Sequence, residues 1–197
     1  MEDLQLSDGH PALVSAVYRE RFRLLIDGSG IWAQPSGKLR FNVHEKGDMP
    51  VVGDWVVYRK SSGFGDSSIE RILKRRTFLV RKESGSGFSR QILASNIDYA
   101  FILSSLNAEF NVRRIERFIA LAQSGGVHPI VLLTKADLNP SAESMKLQVQ
   151  RYLINLSVEC ISSVTGYGIS GLDTFLKPGK SVAFLGTSGV GKSTLVN

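Results

Sequence analysis

The sequence predicts a mixed fold, with a small all-β barrel over residues 1–75, a basic glycine/serine linker over 76–92 and an α/β domain over 93–197. Three observations predict it. Short β-branched and aromatic runs separated by turn signals fill the first third. From about residue 93 the pattern changes to alternating strands and helices, as a parallel sheet with helices on its faces requires. A glycine-rich loop, Gly186 to Gly191, then follows an apolar strand near the C-terminus.

In the barrel region, Phe22, Leu24 and Ile26 alternate with Arg23, Leu25 and Asp27, the period of a half-buried strand. Asp27-Gly-Ser-Gly30 is a turn signal before Ile31-Trp-Ala33. A second turn, Pro35-Ser-Gly37, leads to a further short run at Lys38-Leu-Arg-Phe41. Val51 to Tyr58 reads as a strand, and Ser68 to Leu73 as another. Four or five strands at this spacing fit an OB-fold-like barrel, an architecture that often binds single-stranded or structured nucleic acid. Lys74-Arg-Arg76 and Arg81-Lys82 are then followed by Glu83-Ser-Gly-Ser-Gly-Phe-Ser-Arg90. This reads as the linker, and its charge is placed either to contact phosphates or simply to be solvated.

In the α/β region, Tyr99–Leu103 is a strand. Asn111 caps a helix whose Ile115, Phe118, Ile119 and Ala122 share one face, and Gly125-Gly126 ends it. Ile130–Leu133 is a second strand. Ser141 caps a second helix with Met145, Val149, Tyr152, Leu153 and Leu156 on one face. Val158–Ile161 is a third strand, Leu172–Leu176 a short helix and Val182–Leu185 a fourth strand. Ligands of such sheets lie at the C-terminal strand ends.

Composition narrows the function. Hydrophobic content of 43% and charged content of 21% are those of a globular protein able to bury a core. No run approaches the roughly 18 apolar residues of a membrane span, and acidic Met1-Glu-Asp-Leu is not a secretory leader, so a cytoplasmic protein without membrane partners is expected. The one cysteine, Cys160, sits in an apolar run and reads as a buried thiol. His10, His44 and His128 are scattered, which predicts no metal site built from them. A net charge of +6 favours an acidic partner such as nucleic acid.

Three strand ends carry chemistry. The last, Gly186-Thr187-Ser188-Gly189-Val190-Gly191-Lys192-Ser193-Thr194, matches G-x-x-x-x-G-K-S after a strand and before a helix. Glycines let successive N–H groups converge on a phosphate, Lys192 reaches the β- and γ-phosphates, and the Ser193 hydroxyl is the expected Mg²⁺ ligand. Lys192 and Ser193 are therefore the catalytic candidates. After the second strand comes Thr134-Lys135-Ala-Asp137. Guanine presents N1–H and a 2-amino group side by side, so one carboxylate at Asp137 accepts both, and the Lys135 stem lies along the purine face. Thr134 stands where asparagine is usual; asparagine can hold the base and tie neighbouring loops, and a single hydroxyl is expected to supply only part of that network. After the third strand, Ser162-Ser163-Val-Thr-Gly166 resembles the S-A-x loop of GTPases, a resemblance which implies that the Ser163 N–H donates to the guanine O6. Two other readings stay open at this point: a different phosphate-loop enzyme, such as an ATP-dependent kinase, or a non-catalytic RNA-binding module with a vestigial nucleotide site.

The order of these motifs, base loop, Ser-Ser loop and then phosphate loop, behind a barrel, resembles the circularly permuted RsgA (YjeQ/EngC) family of GTPases that depend on the small ribosomal subunit. Val52-Gly-Asp54, Gln91 with Asn96-Ile-Asp98, Thr134-Lys-Ala-Asp-Leu138, Thr165-Gly-Tyr-Gly-Ile169 and the phosphate loop carry the resemblance. It implies a GTPase binding GTP or GDP with Mg²⁺ during late maturation of that subunit. It also implies an OB domain on ribosomal RNA and a monomeric full-length protein. The family's switch segments, D-x-x-G motif and zinc-binding C-terminal domain are not matched here, since Asp27-Gly-Ser-Gly30 falls in a predicted hairpin. The expectation is a partial GTPase domain in which Ser193 is the only protein ligand to Mg²⁺. Such a chain should be inactive alone, bind guanine nucleotide weakly and self-associate through an open sheet edge.

Overall fold

The structure, a computed structural model, describes residues 9–42, 49–61, 63, 65–82, 90–107 and 110–197. Two compact units divide between Asn96 and Ile97. In the first, β1 (His10–Tyr18), β2 (Arg21–Ile26), β3 (Ser29–Pro35), β4 (Trp55–Arg59) and β5 (Ser67–Ile72) close a barrel in the order β1-β2-β3-β5-β4. The alternation read from β2 holds: Phe22 and Leu24 point into a core shared with Ala12, Val14, Ala33, Val56, Tyr58 and Ile69. Asp27 and Gly28, both with positive φ, form the two-residue β2–β3 turn that a right-twisted hairpin favours. β1 had no clear sequence signal, because its outward residues include Leu13, Ala16 and Val17 and mask the alternation.

The run at Lys38–Phe41 is not a strand. It lies in a short helix, α1 (Gly37–Asn42), started by Ser36, whose hydroxyl accepts from the Leu39 N–H at 3.1 Å. Leu39 alone packs on the barrel core while Phe41 stays exposed, so one inward residue per turn is all the pattern supplies.

The segment read as a linker also holds regular structure. β6 (Phe78–Lys82) pairs antiparallel with β7 (Arg90–Ser95); residues 83–89, the glycine/serine stretch, lie outside the described residues. A buried polar node fastens this hairpin to the barrel. Asp54, fully buried, accepts both Arg75 Nε and Nη2 at 2.7 Å, the Val51 N–H at 2.8 Å and the Ser95 hydroxyl. Arg75 also donates to the Met49 carbonyl. Gly53, at φ +91°, passes so close to Ser95 that a Cβ would lie 2.1 Å from its carbonyl oxygen. Asn96, itself left-handed, donates to the Gly53 carbonyl and accepts from the Arg76 N–H. Val52-Gly-Asp54 and Asn96 are thus structural, and so is Arg75. Its guanidinium is committed to Asp54, which leaves exposed Lys74 and Arg76 as the charges of that cluster without an ion-pair partner among the described residues.

The second unit is a parallel sheet of β8 (Tyr99–Ser105), β9 (His128–Thr134), β10 (Ser157–Cys160) and β11 (Val182–Leu185), ordered β10-β9-β8-β11. Both faces are covered. Ile102, Val131, Leu133 and Val158 meet α2 (Val112–Ser124) and α3 (Ala142–Tyr152), while Phe101, Leu103, Ile130 and Leu132 meet Leu172, Phe175 and Val190. Continuous apolar strands follow from this double coverage. Asn111 caps α2 as expected, accepting from the Arg114 N–H. Ser141 precedes α3 but makes no side-chain cap; Asn139 Oδ1 accepts the Ser141 N–H instead. α3 ends at Tyr152, which is 61% exposed rather than on the buried face. The short helix expected at Leu172–Leu176 is a 3₁₀ turn spanning Ile169–Thr174.

Candidate functional site

The three motifs sit at the C-terminal ends of β9, β10 and β11. β9 leads into Thr134 and then Lys135, whose left-handed φ of 59° reverses the chain into a 3₁₀ turn, Ala136–Leu138. That turn leaves Asp137 exposed, with no hydrogen-bond or ion-pair partner among the described residues. The turn is held from below: Ala136 is buried and its N–H donates to the Ile161 carbonyl.

After β10, Ser162 is fully buried and its hydroxyl accepts the N–H groups of Val164 and Thr165. Backbone bonds from the Ser162 N–H to the Tyr167 carbonyl and from the Gly166 N–H to the Ser162 carbonyl close the loop. Ser163 is exposed at its rim, and its N–H makes no bond among the described residues. Gly168 is obligatory here, since at φ +72° a Cβ would sit 2.1 Å from the Cys160 carbonyl oxygen. Beneath the loop, burial pushes the Cys160 thiol up to about 11, as an inert buried cysteine requires.

After β11 the phosphate loop turns through left-handed glycines at Gly189 (φ 78°) and Gly191 (φ 98°). Gly186 leaves the strand at φ 154°, where a Cβ would approach the Leu103 carbonyl oxygen to 2.8 Å. Lys192 Nζ folds back over the loop, donating to the Gly186 and Thr187 carbonyls at 2.9 and 2.6 Å. These bonds hold the ammonium over the loop. α4 (Lys192–Val196) follows, with the Ser193 hydroxyl exposed at its start.

Lys135, Ser188, Gly189, Gly191, Lys192, Ser193 and Thr194 line one open cleft of about 500 Å³. That is within the size of a small-ligand pocket, and it joins the β9 and β11 motifs. The joint is a hydrogen bond: Thr134, buried, donates its hydroxyl to the Val190 carbonyl at 2.7 Å. The single hydroxyl at the position where asparagine is usual therefore still ties base loop to phosphate loop. Asp137 and Ser163 stand on the neighbouring loops rather than in the cleft wall. Thr187 and Val190 face a separate, water-sized crevice beside Arg114 and Ser105. Residues to which the sequence assigned no role support these loops. Tyr167 donates its hydroxyl to Glu143 of α3 at 2.7 Å, and Asn139 donates to the Leu106 carbonyl at 3.0 Å.

The donors fit the groups the motifs call for. A concavity bordered by left-handed glycines, a lysine and a free serine hydroxyl suits a polyphosphate with a hard, oxygen-seeking cation at Ser193.

A parallel sheet with a Lys-x-Asp loop after β9 and a glycine-rich phosphate-loop motif after β11, on either side of β8, defines a phosphate-loop fold with permuted motif order. The RsgA GTPase family model matches residues 72–197, and the chain belongs to that family. It is 37% identical over 195 residues to the small ribosomal subunit biogenesis GTPase RsgA of Opitutus terrae, covering 95% of this chain and 53% of that protein. It is 40% identical over 161 residues to RsgA 2 of Vibrio vulnificus, covering 82% and 45%. Among solved structures, YjeQ of Thermotoga maritima superimposes with a TM-score of 0.75 at 25% identity, over 95% of this chain and 63% of that one. YloQ, described as a circularly permuted GTPase, shares the fold with a TM-score of 0.70 at 22% identity, over 100% of this chain and 66% of that one. The chain spans about half the length of the curated relatives it matches.

Proposed function

We propose that this chain is the guanine-nucleotide-binding part of a GTPase that acts in maturation of the small ribosomal subunit in the cytoplasm. The observation that carries the reading is the buried bond from Thr134 to Val190, which sets the base-recognition turn against the phosphate loop. Asp137 accepts guanine N1–H and the 2-amino group, and the unpaired Ser163 N–H donates to O6. The Lys135 stem covers one purine face. The loop N–H groups and Lys192 hold the phosphates, with Nζ exchanging its carbonyl partners for phosphate oxygens. Mg²⁺, held by the Ser193 hydroxyl, supplies charge neutralisation between the β- and γ-phosphates when bound.

The barrel supplies the RNA contact in this reading. On its outer face Tyr18 and Trp32 stack edge to face at 5.6 Å, Arg21 lies 5.0 Å over the Trp32 ring, and Arg23 is paired across the strands with Trp32. Exposed aromatic rings among arginines are a surface on which unpaired bases stack.

Titration of the chain with fluorescent GDP, competed by GDP and by ADP in Mg²⁺ buffer, tests the nucleotide half. GDP should compete at least 100-fold better, and Lys192→Ala should abolish binding; equal competition would favour an adenine-nucleotide enzyme instead. Single-stranded RNA should bind with an affinity that falls steeply with salt.

A further inference from the structure

We propose that the bond between the Tyr167 hydroxyl and the Glu143 carboxylate is a clasp that sets base discrimination by holding the Ser163 N–H where guanine O6 must arrive. This rests on the guanine reading of the site. Ser163 follows Ser162 in the loop that runs from Ser162 to Gly168, and the two ends of that loop are fixed unequally. The Ser162 end is anchored, with a buried side chain accepting two N–H groups. At the other end the Tyr167 carbonyl accepts the Ser162 N–H, so where Tyr167 goes the loop follows. Its own side chain is half exposed, and its one hydrogen-bonding tie is the 2.7 Å bond to Glu143 Oε1.

Glu143 lies in the first turn of α3, directly after the turn that presents Asp137. The clasp therefore couples the loop that donates to O6 with the element that follows the N1 and 2-amino acceptor. Left-handed Gly166 and Gly168 on either side of Tyr167 let the ring swing out to reach α3. Hydrogen bonding to the carboxylate raises the Tyr167 hydroxyl above its ordinary range, so the donor proton stays in place throughout neutral pH. Tyr167 and Glu143 touch no nucleotide atom in this arrangement; they are positioning residues.

The test compares GDP with 6-thio-GDP, which keeps both donors to Asp137 and replaces O6 by a sulfur that accepts hydrogen bonds weakly. Tyr167→Phe in the 197-residue chain should weaken GDP roughly five- to ten-fold, the loss expected for one neutral hydrogen bond, that from the Ser163 N–H to O6. It should leave 6-thio-GDP within about two-fold. Glu143→Ala should behave the same way, while Glu143→Gln, which keeps an acceptor oxygen, should restore GDP binding. In the nucleotide-free chain, amide hydrogen exchange over residues 163–167 should quicken in Tyr167→Phe and not in Glu143→Gln. Equal losses for both nucleotides would mean a general structural role and overturn the clasp. Unchanged GDP affinity, or unchanged exchange, would overturn it and leave the guanine reading standing. Failure of the wild-type chain to prefer GDP over ADP would remove that reading and the clasp with it.

Discussion

Asp54 and Asp137 are single carboxylates in separate units, and each lies in a short loop motif. Their surroundings are opposite. Asp54 is fully buried and accepts from Arg75, Val51 and Ser95, with every donor inside the first unit. Asp137 is exposed on a strained-entry turn and has no partner among the described residues. A buried carboxylate needs its full set of donors, because an unpaired charge out of water costs several kcal/mol. An exposed carboxylate with a rigid turn beneath it keeps its lone pairs for something else. The pairing state separates a residue that holds the fold from the one proposed to accept guanine.

Breaking the Asp54 side should give the largest effect. Arg75→Ala leaves a buried carboxylate uncompensated and should cost about 3–5 kcal/mol in urea unfolding. Lys74→Ala, an exposed neighbour, should stay within about 0.5 kcal/mol. If Arg75→Ala were as mild as Lys74→Ala, the pairing would not govern the node. The same comparison corrects the reading of the basic cluster as free to meet phosphates, because Arg75 already has its anion.

The Thr134 bond lies between the two extremes, buried like the Asp54 node yet part of the proposed nucleotide site. Thr134→Val keeps the shape, removes the donor and leaves the Val190 carbonyl unpaired, so it should cost about 1–2 kcal/mol of stability. GDP affinity should fall with it. Loss of affinity without loss of stability would mean the bond forms only when nucleotide binds.

A smaller effect tests the packing under the base loop. The Cys160 value of about 11 in the folded chain exceeds the ordinary 9.0. The neutral buried thiol therefore favours folding fully below pH 9, and this contribution is lost as pH rises toward 11. The stability gap between wild type and Cys160→Ala should narrow across that window. A constant gap would place the thiol in contact with water.

Much of the second unit was legible because its signals are local. Apolar strands buried on both faces, the Asn111 cap and the Gly125-Gly126 stop are written in neighbouring residues. The site motifs were legible for the same reason, since each occupies one loop after one strand. What the sequence hid depends on distant partners. Arg75 reads as one of three basic residues until Asp54, 21 positions away, is seen beside it. The strands of the segment read as a linker are stabilised by each other, which no single stretch reveals. Tyr167 and Glu143 are 24 positions apart and on different elements, so their bond has no sequence spacing to announce it. Lys38–Phe41 failed for a smaller reason, because four residues cannot distinguish a strand from one helical turn.

The central claim is that Asp137 is held open for guanine. It is tested most directly by measuring GDP and xanthosine diphosphate affinities for the wild-type chain and for Asp137→Asn, with a thermal melt of each. Losing a charged bidentate pair should weaken GDP by about 3 kcal/mol, roughly 100-fold. Xanthosine diphosphate should bind more tightly to the variant, because xanthine presents an acceptor where guanine presents the amino group. The melting temperature should not move, since no protein partner is lost. Unchanged GDP affinity, or a fall in melting temperature that accounts for the loss, would contradict the account.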